Sequence, residues 1–200
     1  MKSMGGIGRA GRIIMSMENP PAGEFFISVD VETAGPAPSE YSLLALGACT
    51  ITEPRQTFYI ELKPDKPNFR AESLASCGLS MEKLAQEGIE PAEALQRFEA
   101  WIQAVTPTGD KPVFVGFNAA FDWMFVNDYF QRYLKRNPFG HAALDIKSYY
   151  MGRTRGEWEK TKMRYVASKY LDHEELYHNA LHDAIDQAIL FQKMSQERES

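Results

Sequence analysis

The hydrophobic and polar positions of the chain form two kinds of pattern, one typical of strands and one typical of helices. Short runs rich in Phe, Ile, Val and Leu lie at 25–31, 42–51 and 57–63, separated by Gly, Pro and charged residues. This spacing favours a meander of neighbouring strands. A continuously apolar run at 112–117 predicts a fourth strand, and a fifth strand is expected around 142–146.

Helical patterns fill the segments between and after these runs. From 71 to 105 the periodicity is broken at Cys77-Gly78 and at Gly88, which predicts consecutive short helices, with Ser80 as an N-cap and Pro91 in a first turn. Further helices are predicted at 119–134, 163–171 and 180–195, and the inward face of the last one is assigned to Leu181, Ile185, Ile189 and Met194.

The order of these elements predicts one layered α/β domain, in which helices cover the faces of a mixed sheet. Residues 1–22 contain several Gly and show no periodicity, so we expect a flexible N-terminal arm, with Met15 and Met17 as alternatives to Met1 for the start of translation. Residues 23–200 then form the single domain, which is long enough to bury a substantial core.

Composition limits the classes of protein that fit. The 22 basic and 27 acidic residues give a net charge of −5, which argues against a protein that coats nucleic acid through bulk positive charge. Cys49 and Cys77 show neither metal-binding nor disulfide spacing, which favours a reducing compartment. No stretch approaches the roughly 18 apolar residues of a membrane span. We therefore expect a soluble cytoplasmic protein without a membrane partner.

Two carboxylates, Asp30 and Glu32, lie near the end of the first strand, in the run FFISVDVETAG at 25–35. Side chains alternate across a strand, so these two acids share one face. Like charges this close are unfavourable unless a proton or a cation intervenes, and a divalent ion with oxygen ligands is a common solution. A salt bridge to a nearby Lys or Arg is the alternative.

Two other segments carry residues that can join this pair. Asp122 opens the helix after the fourth strand, where it is either an acid favoured by the helix dipole or a metal ligand. His178 and Asp183 stand five residues apart at the start of the last helix. Three such segments can converge at one end of a sheet. Four carboxylates and one histidine there describe a two-metal site for phosphoryl transfer, with ions about 3.5–4 Å apart.

At these residues the chain resembles the DEDDh family of 3′–5′ exonucleases. The three motifs of that family are present in order as DVETAG at 30–35, FNAAFD at 117–122 and HNALHDA at 178–184. The likeness covers roughly residues 25–195, and the motifs are most similar to those of the ribonuclease T subgroup. The resemblance implies a ribonuclease H-like fold: a five-stranded sheet, with a three-strand antiparallel meander plus two parallel strands and helices on both faces.

The resemblance also implies an activity and a role for each site residue. The activity is hydrolysis from the 3′ end of single-stranded RNA or DNA, with release of nucleoside 5′-monophosphates. Asp30 would bridge two Mg²⁺ ions, Glu32 and Asp183 would hold the ion that activates water, and Asp122 would contribute through water. His178 would act as general base, since imidazole accepts a proton at neutral pH. Oxygen-only ligands favour Mg²⁺, with Mn²⁺ as a substitute, over zinc.

Substrate contacts follow from the same resemblance. An exonuclease of this kind holds the terminal 3′ hydroxyl and stacks the terminal base, and the candidates beside the acids are Thr33, Ala34, Asn118, Phe121 and Phe139. For Asn118, capping the helix that carries Asp122 is an equal alternative. Pro36 and Ser76 stand where the ribonuclease T subgroup has aromatic residues, so the base preference is left open.

Partners and competing functions complete the expectations. Two basic runs at 132–137 and 152–164 are candidates for phosphate contacts, with a solvated surface as the alternative. The resemblance also raises a homodimer, in which such a run serves the other subunit. Two other functions are kept open: a catalytically idle nucleic-acid-binding module and a polymerase-associated proofreading subunit. The presence of all five catalytic positions counts against the idle module.

Overall fold

The computed structural model describes residues 23–172 and 178–197, and the predicted arm at 1–22 lies outside the described residues. The strands are β1 Glu24–Thr33, β2 Leu43–Thr50, β3 Thr57–Glu61, β4 Lys111–Gly116 and β5 Ala143–Asp145. The helices are α1 Ala71–Cys77, α2 Met81–Glu87, α3 Pro91–Val105, α4 Ala119–Tyr129, α5 Ile146–Thr154, α6 Met163–Tyr170 and α7 Ala180–Gln196. A π-helical turn, Phe130–Leu134, continues α4, and a 3-10 turn, Trp158–Thr161, precedes α6.

The five strands form one mixed sheet in the order β3-β2-β1-β4-β5. β2 is antiparallel to both β1 and β3, while β4 is parallel to β1 and β5 is parallel to β4. The predicted three-strand meander with two parallel strands is therefore confirmed. Because β1, β4 and β5 run in the same direction, their carboxyl ends lie at one edge of the sheet, which is where the first two motifs begin.

Alternation along β1 separates two layers of core. The larger apolar cluster includes residues of α3 and α4 together with alternate residues of β1, namely Phe25, Ile27, Val29 and Val31. On the opposite face, Phe26 packs against Phe191 of α7, with ring centroids 6.1 Å apart. Asp30 and Glu32 have the same parity as Phe26, so both acids face α7. Helices thus cover both faces, as expected.

The predicted local signals in the helical region are confirmed. Ser80 begins α2, and its hydroxyl accepts a hydrogen bond from the Lys83 N–H at 3.3 Å. Pro91 is the first residue of α3. The three residues assigned to the buried stripe of α3 are all buried: Leu95, Phe98 and Ile102. Among the described residues, no helix is both long and apolar enough to cross a bilayer.

The inward face of α7 differs from the prediction. Leu181, Ile185 and Ile189 are only partly buried, and the buried apolar residues of α7 are instead Ala180, Ala184, Ala188, Leu190, Phe191 and Met194. Of the predicted set, Met194 is confirmed. The small alanines let α7 lie close to β1 and β2, so the stripe that faces the sheet is small rather than bulky.

The region after β5 also differs, because helix α5 was not expected. Its sequence IKSYYMGRT mixes polar and apolar residues without a clear stripe, so periodicity did not reveal it. Asp145 begins the helix, and its carboxylate accepts a hydrogen bond from the Ser148 N–H at 3.0 Å. With the 3-10 turn Trp158–Thr161, much of the basic run at 152–164 is helical rather than an extended loop.

Candidate active site

Three acids from β1 and α7 meet at the carboxyl end of β1. Carboxylate oxygens of Asp30, Glu32 and Asp183 all lie within 4.8 Å of one another. Asp30 and Glu32 are partly buried and Asp183 is buried. Three oxygen ligands at this separation match the size and chemistry of a divalent cation such as Mg²⁺ or Mn²⁺. The pair of acids predicted on one face of the strand is therefore joined by an acid 151 positions further along the chain.

Gly47 on β2 allows α7 to come this close. It is paired with Asp30 across the β1–β2 ladder. A Cβ at position 47 would lie 2.2 Å from both the carbonyl carbon and the oxygen of Ala180, and 2.3 Å from the Leu181 nitrogen. The first turn of α7 thus rests on the backbone of β2 beside Asp30, a contact that any side chain would prevent. The role of Gly47 was not predicted, because an isolated Gly in a strand does not reveal what approaches it.

The start of α7 sets the direction of Asp183 and His178. The Asn179 side chain accepts hydrogen bonds from the Leu181 and His182 N–H groups, each at 3.2 Å, and so caps the helix. Asp183 follows in the first turn and is buried against the other acids. His178, immediately before the cap, has a left-handed backbone with φ 48° and an exposed side chain. The imidazole therefore lies on the solvent side of the helix start.

Asp122 reaches the same strand end from α4. It is 5% exposed, and its Oδ1 accepts a hydrogen bond from the Val31 N–H at 3.2 Å. Val31 stands between Asp30 and Glu32, so this bond fixes the Asp122 carboxylate at the β1 segment that carries the other two acids. The structure thus brings together all four predicted carboxylates, and the N-terminal position of Asp122 on α4 is also as predicted.

The crowding of these carboxylates perturbs their protonation. Burial, followed by the charges of Asp122, Asp183 and Glu32, holds the pKa of Asp30 well above its usual range. Burial and then the Asp183 charge raise the pKa of Glu32 to about 7. Burial also raises the pKa of Asp122 to about 8, against the lowering effect of its hydrogen bond from Val31. Without a cation the site therefore favours protonated acids at neutral pH.

Gln187 is a further buried polar residue at the site, and its importance was not anticipated. Its Nε2 donates to Asp30 Oδ1 at 2.6 Å, and its Oε1 accepts from the Phe117 N–H at 3.0 Å. Gln187 lies four residues after Asp183, on the same face of α7. The Asp183-to-Gln187 spacing is visible in the sequence, but an Asp and a Gln four residues apart on a helix are too common to be a signal.

Thr33 and Ala34, predicted substrate contacts, follow Glu32 directly and are buried. The Thr33 hydroxyl donates to the Gly35 carbonyl at 2.9 Å. The Ala34 N–H donates to the Ser42 carbonyl at 2.9 Å, and the Ala34 carbonyl accepts from the Arg70 N–H at 2.7 Å. The N–H of Ala34 is therefore already used inside the protein. The two residues follow the β1 acids directly in the chain, and the Ala34 N–H is not available to a ligand.

Asn118 and Phe121 lie at the β4–α4 junction. Asn118 has a left-handed backbone with φ 63°, and its side chain makes no capping hydrogen bond to the first turn of α4. The carboxylate of Asp145 serves there instead, since its Oδ1 accepts from the Ala119 N–H at 3.0 Å. The capping alternative for Asn118 is thus wrong. Phe121 is half-buried, with its ring centroid 5.4 Å from that of Phe125, and keeps part of its ring accessible.

Phe139 does not form part of an aromatic platform, contrary to the prediction. Its side chain is only 7% exposed and belongs to the larger apolar core. Its ring centroid lies 5.4 Å from that of Phe114 and 6.1 Å from that of Phe98. With both neighbours inside the core, the ring offers no free face to a base. Motif position suggested the role, whereas packing against Phe98 and Phe114 places the ring in the core.

An exposed aromatic residue, not considered from the sequence, is next in the chain to a residue that bonds the segment after Glu32. Phe69 is 55% exposed. It precedes Arg70, whose N–H is bonded to the carbonyl of Ala34, two residues beyond Glu32. The Arg70 guanidinium lies over the Tyr41 ring, with 5.8 Å from its carbon to the ring centroid. The Phe69–Arg70 pair therefore joins an exposed ring and a cation at the end of the active-site strand.

The basic run at 132–137 is largely occupied by ion pairs. Arg132 donates to Asp65 and to Asp128, each at 2.7 Å. Arg136 makes two hydrogen bonds to Glu99, at 2.6 and 2.7 Å. Asp65 also accepts hydrogen bonds from Tyr129 and Tyr133. Burial alone would raise the pKa of Asp65, but the hydrogen bonds from Tyr129 and then Arg132 outweigh it and hold the pKa well below its usual range. Both arginines of this run are therefore held in ion pairs within the protein.

Comparison with known protein families gives a consistent match. The family model described as "Exonuclease", RNase_T, matches residues 27–191. The 3′-5′ DNA exonuclease Cap18 of Escherichia coli is 47% identical over 168 residues, which covers 84% of this chain and 90% of the relative. Ribonuclease T of Salmonella typhimurium is 30% identical over 183 residues, covering 84% of this chain and 83% of the relative.

Solved structures show the same fold at low identity. The nuclease domain of 3′hExo, described as a DEDDh family member bound to rAMP, has a TM-score of 0.71 at 17% identity, covering 87% of this chain and 94% of that domain. A 3′-exonuclease solved with a histone mRNA stem-loop has a TM-score of 0.71 at 15% identity, and the present chain spans 63% of its length.

Proposed function

The chain belongs to the RNase_T exonuclease family and is a 3′–5′ exonuclease, and from that premise we propose that it degrades single-stranded DNA from the 3′ end. The products are deoxynucleoside 5′-monophosphates. The preference for DNA rests on the 47% identity to a relative named as a DNA exonuclease. The observation that carries the metal-dependent chemistry is the approach of Asp30, Glu32 and Asp183 within 4.8 Å.

Divalent metal ions fit this donor set, and we propose Mg²⁺. Asp30, Glu32 and Asp183 would hold the ions directly, and Asp122, bonded to the Val31 N–H, would complete the shell through water. The raised pKa values of Asp30, Glu32 and Asp122 indicate that the site needs positive charge to keep its acids ionised. When bound, such ions would lower the pKa of the attacking water and offset charge on the phosphate.

His178 is the proposed general base. Its support is its position directly before Asn179, which caps the helix that carries Asp183, and its side chain is open to solvent. It takes the proton of the attacking water, whose oxygen forms a bond to phosphorus. The bond from phosphorus to the 3′ oxygen of the penultimate nucleotide breaks, and that oxygen acquires a proton from solvent. The shortened strand keeps a 3′ hydroxyl, so the reaction can repeat.

The proposed DNA contacts lie on both sides of the acids. Phe121 on the α4 side and Phe69 beside Ala34 on the other provide partly accessible rings. Stacking contributes about 1–3 kcal/mol per base and tolerates any sequence. In this arrangement Thr33 borders the terminal sugar. The Asn118 side chain does not cap α4, and we propose that it makes a polar contact with the nucleotide.

Three further expectations stay proposals. Residues 23–200 form the catalytic domain, and a homodimer is the proposed assembly by analogy with the ribonuclease T subgroup. Cys49 and Cys77 are free thiols in the structure, which supports a cytoplasmic setting.

The activity test uses 5′-labelled single strands of DNA and RNA of equal sequence, with Mg²⁺, Mn²⁺ or EDTA. We expect stepwise shortening of DNA from the 3′ end with either metal and none with EDTA. Asp122→Asn should lower kcat by at least 100-fold, while Asp128→Asn, a change of the same kind on the same helix but outside the acid cluster, should retain wild-type activity. Equal activity of the two variants would contradict the assignment, and a faster loss of RNA would contradict the proposed substrate.

A further inference from the structure

The side-chain amide of Gln187 links the segments that carry the acids. Gln187 is 2% exposed. It bonds to Asp30 on β1 and to the backbone of Phe117, which directly follows β4 and lies just before the turn into α4. Gln187 itself is on α7, one turn after Asp183. One neutral side chain thus connects the elements that bring Asp30, Asp122 and Asp183 together.

The orientation of this amide follows from its partners. A backbone N–H can only donate, so the Gln187 group that faces Phe117 must be the carbonyl oxygen. The NH₂ group is then directed to Asp30, and Asp30 Oδ1 must accept at 2.6 Å. Water cannot take over either bond because the side chain is buried. The fixed donor therefore holds one oxygen of Asp30 in place beside α7.

We propose that Gln187 is the positioning residue of the metal site, holding Asp30 in the rotamer that receives the ions. This inference rests on the proposed function, since it concerns the metal ligands of that reaction. A buried, neutral donor can keep one of these crowded carboxyl groups in a fixed orientation before the cation arrives. Groups that orient a metal ligand typically change metal affinity by about 10- to 100-fold when they are removed.

The variant Gln187→Met tests this role because it keeps the approximate volume and loses both hydrogen-bonding groups. We expect the Mn²⁺ dissociation constant, measured by calorimetry, to rise about 10-fold or more, and kcat to fall by a similar factor. The KM for single-stranded DNA should stay within about twofold of the wild-type value, since the Gln187 side chain is buried and does not contact the DNA. Gln187→Asn is the second variant: its shorter amide cannot reach both partners, so the same loss of Mn²⁺ affinity is expected.

Ser195→Ala is the matched control for a merely structural role. Ser195 is also buried on α7 and donates one hydrogen bond, to the Gln192 carbonyl at 2.8 Å, three turns beyond Asp183. It should lower thermal stability without changing Mn²⁺ affinity. If the folded Gln187 variants bind Mn²⁺ with wild-type affinity, or if Ser195→Ala weakens binding equally, the positioning role is wrong.

A second measurement separates this inference from the proposed function. In EDTA, urea unfolding of Asp30→Ala, Gln187→Met and the double variant gives the coupling between the two side chains without any metal or substrate. We expect non-additive effects on the unfolding midpoint. Additive effects would overturn the contact even if the enzyme degrades DNA. A wild-type protein without metal-dependent nuclease activity would overturn the proposed function while leaving the coupling result intact.

Discussion

Replacing Gly47 with alanine should move Asp183 of α7 away from Asp30 and Glu32 of β1. The added Cβ would lie 2.2 Å from the Ala180 carbonyl carbon and oxygen, whereas ordinary contact begins at 3.4 Å, so the start of α7 must move by about 1.2 Å. The obstructing atoms belong to the helix backbone, which cannot rotate away as a side chain can. Asp183, in the first turn of α7, would move with it, away from Asp30 and Glu32.

The size of this shift decides the expected effect. Mg²⁺ requires oxygen ligands at about 2.0–2.1 Å in near-octahedral geometry, so a displacement of about 1 Å is enough to break a ligand contact. Misplacement of that order in an active site costs roughly 100-fold in rate. Inserting a methyl group into a packed interior also destabilises by about 1–3 kcal/mol. We therefore expect Gly47→Ala to fold, with a kcat about 100-fold lower and weaker Mn²⁺ binding.

The assay compares Gly47→Ala with Gly152→Ala. A Cβ at Gly152, on α5, meets no atom within 4 Å, so this alanine should leave kcat unchanged and be neutral or slightly stabilising, as Gly-to-Ala changes in helices generally are. Single-turnover degradation of a labelled strand, Mn²⁺ calorimetry and thermal unfolding are measured for each protein. Wild-type kcat and Mn²⁺ affinity in Gly47→Ala would refute the proposed dependence of the site on the β2–α7 contact.

Three other predictions address stability and substrate binding. In EDTA the protein should lose stability as pH rises from about 4.5 to 8, because Glu32 and Asp122, with pKa values of about 7 and 8 in the folded state, keep protons that the unfolded chain releases. Urea titrations at several pH values test this, and saturating Mg²⁺ should flatten the decline. Stability that rises over this pH range would contradict the prediction. Phe139→Ala should lower the free energy of unfolding by about 3–5 kcal/mol, as for other buried aromatic residues. An increase in the KM for DNA without loss of stability would instead support Phe139 as a substrate contact. Phe69→Ala should raise the KM for single-stranded DNA at least severalfold with kcat nearly unchanged, through loss of stacking, and Phe69→Trp should retain binding; equal KM values for both variants would exclude Phe69 from the DNA path.

Residues close in sequence allowed the most secure predictions. Strand alternation alone places Asp30 and Glu32 on one face, because successive side chains of an extended backbone must point to opposite sides. The Ser80 cap and Pro91 start follow equally from the local hydrogen-bonding needs of helix ends. The mixed sheet also followed from the order of the elements. In each case the structure is determined by the geometry of a few neighbouring residues or by the order of the strands and helices along the chain.

Tertiary structure decided which surfaces meet. The contact of Gly47 with Ala180 and the bond of Gln187 to Asp30 join residues more than 130 positions apart, and no local pattern specifies such pairs. The same reason explains Phe139, whose motif position suggested a stacking role but whose ring packs against Phe114 of β4 and Phe98 of α3. Local backbone geometry determines which face a side chain occupies, while the close packing of separate elements determines what lies opposite that face. The sequence alone therefore identified the acids, and only the folded chain showed how a glycine and a glutamine hold them together.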